Sequence, residues 1–139
     1  MAASTSSTLP YGAVEGLRPV DILLVEDNPA DAELMRALMR QRPGVELVCV
    51  GNAAQALVQA AGADLMMIDL NLPDRSGLEL LRTLRAEART RGVPAIIVSA
   101  DARPERIDEC IDAGALNYLT KPLDTQRLLR AVDDALRAI

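Results

Sequence analysis

Lys121 is the only lysine in a chain of 139 residues whose other basic side chains are all arginine. It stands in Thr120-Lys121-Pro122, directly after the apolar run 115–119. A compact, strongly hydrated ammonium suits a small dense anion, such as a phosphoryl group, as a point charge rather than a planar fork. Three other short apolar runs also end in a reactive side chain. Glu26-Asp27 follow Val25, Asp69 follows Ile68 and Ser99 follows Val98. Carboxylates from two such ends, brought within a few ångströms, repel one another unless a cation lies between them. A hard divalent ion relieves that repulsion. Mg²⁺ typically takes one or two carboxylates, several waters and a phosphoryl oxygen. One carboxylate oxygen is then left as a nucleophile, and its attack on phosphorus gives an acyl phosphate. Asp69, between the acidic pair and the Ser99 and Lys121 ends, is the candidate. Lys121, the Ser99 hydroxyl and Mg²⁺ would share the three equatorial phosphoryl oxygens. Taken singly, Glu26-Asp27 reads as a loop start, Asp69 to Asp74 as a turn and Ser99 as a strand-end hydroxyl. Their common register is what favours chemistry.

That register requires strands. Residues 20–25 predict the first, 45–50 a more amphipathic second, and 65–68 and 95–98 two continuously apolar strands of the parallel, fully covered kind. The fifth is predicted over 115–119. Helical patterns lie between them. Asn28 caps the first helix with Pro29 at its first position, and Pro43-Gly44 ends it. The second runs over about 53–61. Ser76-Gly77-Leu78-Glu79 forms a capping box for a third helix predicted to reach Gly92. Pro104 opens a fourth that ends at Gly114. Asp124 caps a fifth that places Leu128, Val132 and Leu136 on one face. Five β–α units predict a doubly wound parallel sheet with helices on both faces. The two least apolar strands, with Glu46 and Asn117, belong at its edges, so the expected order is the flavodoxin-like 2-1-3-4-5. Ligands of such sheets bind beyond the carboxyl ends of the strands.

Composition narrows the partners. A net charge of −5 with half the residues apolar predicts a globular domain that avoids nucleic acid and anionic membranes. The absence of histidine removes histidine acid–base catalysis and a phosphohistidine on this chain. Cys49 and Cys110, far apart and without a CxxC, predict two buried thiols in a reducing cytosol. Residues 1–18, rich in serine and glycine, read as a flexible tail or linker before a domain over 19–139. They carry neither a signal-peptide nor a transit-peptide pattern.

Residues 20–138 resemble the receiver domain of response regulators. The resemblance rests on Leu24-Val25-Glu26-Asp27-Asn28, Ile68-Asp69-Leu70-Asn71-Leu72-Pro73 with Gly77, Val98-Ser99-Ala100, and Tyr118-Leu119-Thr120-Lys121-Pro122. It implies that Asp69 is the phosphoacceptor and Asp27 a Mg²⁺ ligand. Glu26 would assist through water, and the Asn71 backbone carbonyl would be a further ligand. It makes Ser99 and Tyr118 a switch pair and Lys121–Pro122 a cis bond. It also implies a cytoplasmic signalling switch that catalyses only its own phosphorylation and dephosphorylation. The phosphoryl donor would be a histidine kinase or histidine phosphotransfer protein, with an effector protein downstream. Asn117 stands where many DNA-binding regulators carry an acid, which argues for a monomer or weak dimer. Lys121-Pro122-Leu123-Asp124 and the lack of an output domain after Ile139 resemble receivers of hybrid histidine kinases. A stand-alone regulator fits equally.

Three alternatives are weaker. A flavodoxin needs a phosphate loop where Glu26-Asp27 would repel phosphate. A haloacid-dehalogenase-type phosphatase needs an acid at Asn71. A pseudo-receiver, which never accepts phosphate, usually loses one of the acids or the lysine.

Overall fold

The computed structural model describes residues 19–137. The expected tail, residues 1–18, lies outside the described residues. Five strands form one parallel sheet: β1 (Val20–Val25), β2 (Val45–Val50), β3 (Leu65–Asp69), β4 (Ala95–Ser99) and β5 (Asn117–Thr120). Their order is 2-1-3-4-5, as the apolar patterns predict. Every residue of β3 and β4 is buried, whereas β2 alternates along its length and β5 is half open. Central strands covered on both faces need uniformly apolar side chains, and edge strands do not.

The helices are α1 (Pro29–Met39), α2 (Ala53–Gln59), α3 (Gly77–Ala86), α4 (Pro104–Asp112) and α5 (Thr125–Arg137). Strand alternation sends Ile22, Leu24, Met67, Ile96 and Val98 into a layer with α1 and α5. Leu23, Val25, Met66, Ile68 and Ile97 enter the opposite layer with α2, α3 and Cys110 of α4. Leu128, Val132 and Leu136 form the expected buried stripe of α5, and Asp124 accepts the Arg127 N–H at its start.

Three expectations need correction. The third helix stops at Ala86, six residues before Gly92. Beyond it the Thr90 hydroxyl donates to the Leu84 carbonyl at 2.7 Å, and Arg85 donates to the carbonyls of Thr90, Arg91 and Val93. The Thr90 hydroxyl thus takes a carbonyl that a further helical turn would have used, and Arg85 satisfies carbonyls of the irregular segment that follows. Arg85 also donates to the Gly114 carbonyl, tying α3 to the turn before β5. The fifth strand begins at Asn117, where pairing with Ile96 starts, rather than at 115. Only Cys110 is buried; Cys49, on the edge strand, is partly buried, and both are free thiols.

One glycine is required by close approach. A Cβ on Gly77 would overlap the Asp69 carbonyl oxygen and lie 2.9 Å from Leu70 Cα, both backbone atoms. The Gly77 N–H meanwhile donates to the Leu70 carbonyl at 2.8 Å, closing the β3–α3 loop onto the strand end. Gly77→Ala should therefore cost about 3 kcal/mol, the upper end for overpacking against groups that cannot move aside. Denaturant unfolding checks this, and a variant as stable as the parent would contradict it.

Candidate functional site: an acidic edge around one lysine

Sheet register assembles the site. β1 and β3 are neighbours with Val25 opposite Ile68, so Glu26 and Asp69 leave the sheet side by side. Ser99 of β4 lies opposite Thr120 of β5, and the Lys121 N–H donates to the Ser99 carbonyl at 2.8 Å. Glu26, Asp27 and Asp69 each place a carboxylate oxygen within 4.8 Å of the others. Glu26 and Asp69 are buried, whereas Asp27 is exposed. Lys121–Pro122 is cis.

The Lys121 ammonium sits among three carboxylates. Its Nζ is 3.1 Å from Glu26 Oε1, 2.9 Å from Asp31 Oδ2 and 3.0 Å from Asp69 Oδ2. The other Asp69 oxygen, Oδ1, accepts the Asn71 N–H at 2.9 Å. Burial opposes the charge on Lys121, but the hydrogen bonds it donates to Asp31, Asp69 and Glu26 outweigh it and hold the ammonium well above the ordinary lysine range. Glu26 goes the other way. Burial, and then the neighbouring Asp69 carboxyl, raise its pKa to about 7, against the Asn28 N–H and Lys121, which stabilise the anion.

The surrounding loops are pinned by further carboxylates. Asp74 accepts the Ala53 and Ala54 N–H groups at the start of α2, which lowers its pKa and anchors the β3–α3 loop. Ser99 is buried, and its Oγ accepts the Asp101 N–H at 3.1 Å. The Tyr118 hydroxyl donates to the Asp101 carbonyl, and Arg103 and Arg106 pair with the Asp101 carboxylate. Ser99 and Tyr118 thus meet the same residue of the β4–α4 loop. A cavity of about 150 Å³ opens beside the edge, with Asp31, Glu26, Asp69 and Lys121 on its polar side and Leu34, Met35 and Leu123 on its apolar side.

All seven residues singled out from sequence lie at this edge or on the segments that form it. Asp31, Asp74 and Asp101 were missed, because no local pattern links them to the strand ends. The only available signal for Asp31 was its place in the first turn of α1, on the helix that starts from the acidic pair.

The family model of the response regulator receiver domain matches residues 22–133. The chain belongs to this family. Among curated relatives, the transcriptional regulatory protein MalR of Bacillus subtilis is 32% identical over 121 residues, covering 85% of this chain and 51% of that protein. The sensory/regulatory protein RpfC of Xanthomonas campestris is 32% identical over 122 residues, covering 85% of this chain but 17% of its own length. The chain therefore spans about half, or much less, of the length of these relatives. Among solved structures, the receiver domain of a sensor histidine kinase from Pseudomonas aeruginosa PAO1, which has a magnesium ion in its active-site cleft, is 31% identical with a TM-score of 0.77. That match covers 86% of this chain and 98% of the other. A sensor protein from Polaromonas sp. JS666 is 34% identical with a TM-score of 0.78, covering 86% and 97%. Among the described residues, no helix of this receiver is long and apolar enough to cross a membrane.

The oxygen-only donor set fits a hard divalent cation, whose charge would offset the burial and the Asp69 carboxyl that raise the Glu26 pKa. The raised pKa makes the metal-free receiver pH-sensitive. Between the unfolded value of 4.5 and about 7, folded Glu26 keeps a proton that the unfolded chain has released. Its contribution to stability therefore falls as pH rises through that window, by about 3 kcal/mol in total. Thermal unfolding in chelator should show a downward slope from pH 5 to 7.5 that Glu26→Gln flattens. An equal slope in that variant would contradict the assignment.

Proposed function

We propose that this receiver accepts one phosphoryl group on Asp69 from a phosphohistidine donor, a histidine kinase or a histidine phosphotransfer protein. The observation that carries the reading is the setting of Asp69. It is a buried carboxylate with one oxygen fixed by the Asn71 N–H and the other facing the single lysine, beside two further acids. In the reaction an Asp69 oxygen forms the new bond to phosphorus as the phosphorus–nitrogen bond to the donor imidazole breaks. Glu26, Asp27, Asp69 and the Asn71 carbonyl would hold Mg²⁺, which supplies positive charge for the phosphoryl oxygens when bound. Lys121 is aimed at the same place and offers N–H donors to those oxygens. The same reading makes the chain a cytoplasmic switch for a downstream effector, not an enzyme on another substrate.

Ser99 and Tyr118 support a readout. In the unphosphorylated form the Ser99 hydroxyl receives the Asp101 N–H, and the Tyr118 phenol donates to the carbonyl of the same residue. A Ser99 hydroxyl drawn to a phosphoryl oxygen would loosen that loop and free the ring to turn inward. The new conformation would change the surface formed by α4, β5 and α5. A ligand shifts such a pair of conformations only through its differential affinity for them.

Incubation with acetyl phosphate and Mg²⁺, followed by intact mass measurement, should show one added phosphoryl group. Asp69→Asn and excess chelator should each abolish it; undiminished labelling of that variant would overturn the reading. Beryllofluoride with Mg²⁺, as a phosphoryl mimic, should shift the NMR signals of Tyr118 and α4 in the parent, and Ser99→Ala should confine the shifts to the loops around Asp27 and Asp69. Shifts equally confined in the parent would favour a passive phosphorelay role without this switch.

A further inference from the structure

We infer that Asp31 is a positioning residue for Lys121, holding its ammonium in the unphosphorylated receiver and releasing it when Asp69 carries a phosphoryl group. The inference rests on the receiver function proposed above. An ammonium has three N–H donors and no acceptor. Glu26, Asp31 and Asp69 supply three acceptors, at 3.1, 2.9 and 3.0 Å, so Lys121 has no donor to spare. Asp69 gives up its negative charge on forming an acyl phosphate, and the dianionic phosphoryl group becomes the stronger attraction for the lysine. The phosphoryl group offers several oxygens where Asp69 offered one, so an ammonium that turns two of its N–H donors to them keeps only one of its two remaining partners. The Glu26 side chain is 5% exposed and held by the Asn28 N–H, so it can neither follow the lysine nor turn to water in exchange. The Asp31 side chain is 40% exposed and can return to water at little cost. Asp31 is therefore the contact that gives way.

Its location gives that release a consequence. Asp31 lies in the first turn of α1, where its own N–H is held by the Asn28 cap at 3.1 Å. Its carboxylate reaches across the cavity between α1 and the segment after β5. The contact joins these two walls only while the lysine is held, so Asp31 sets how readily the lysine leaves for the phosphoryl group.

Because the chain has one lysine, ¹⁵N-lysine labelling gives a single side-chain ammonium signal to follow. In metal-free protein, Asp31→Ala should move that signal and speed exchange of its protons with water. With Mg²⁺ and beryllofluoride, parent and variant signals should converge, since the contact that distinguishes them is gone. Asp31→Ala should also bind beryllofluoride about twofold to fivefold more tightly, the range expected for a half-exposed ion pair. Glu33→Gln, which removes an equal charge from α1 without touching the lysine, should not. Identical metal-free signals, a difference that persists undiminished in the complex, or unchanged or weaker mimic binding by Asp31→Ala would each overturn the inference. A parent protein that binds no beryllofluoride would overturn the receiver function itself, and this inference with it.

Discussion

The ammonium of Lys121 among three carboxylates is the interaction around which the rest of this acidic edge is arranged. Two of those carboxylates, Glu26 and Asp69, are buried, and the fold must bring them together although they repel. Parallel strands do so without choice. Their carboxyl ends share one edge, so any acid placed one residue past β1 meets one at the end of β3. The lysine arrives from β5, across β4, and supplies one positive charge where the acids need more. Burial and the Asp69 carboxyl raise the pKa of Glu26 to about 7, so in the metal-free chain a proton partly offsets the crowding of the acids. A site in that condition is ready for a divalent cation and, beyond it, a phosphoryl group.

Holding like charges at this spacing requires a scaffold that does not give. The fully buried β3 and β4, with an apolar layer on each face, provide it. The loops are restrained separately. Asp74 ties the β3–α3 loop to α2, Gly77 lets that loop lie against the end of β3, and Asp101 gathers the β4–α4 loop around two arginines. Buried ion pairs are poor evidence for stability, because desolvation offsets much of their attraction. Here the polar edge is better understood as a cost carried by the two apolar layers for the sake of chemistry.

Much of this was legible in the sequence, for physical reasons. Continuous apolar runs identify covered strands, amphipathic ones identify edges, and the strand ends then place Glu26, Asp27, Asp69, Ser99 and Lys121 at one edge. Side chains acting across long sequence distances were not legible. Asp31 reaches Lys121 over ninety positions, Asp74 reaches back to the start of α2, and Arg85 gathers carbonyls from two separate turns. No local periodicity encodes such contacts. The end of α3 was misplaced for a related reason. Gly92 is the first strong stop in the sequence, but the helix ends at Ala86, and side chains of Thr90 and Arg85 bond backbone carbonyls on either side of that end.

The central claim is that phosphate is carried as an acyl phosphate on one residue. Borohydride reduces an aspartyl phosphate to homoserine, so reduction of the phosphorylated protein followed by peptide mapping reports the acceptor directly. The account predicts homoserine at position 69 and at no other acid. Homoserine at position 27 or 31, hydroxynorvaline in place of Glu26, or neither alcohol in protein shown by mass to carry phosphate, would contradict it.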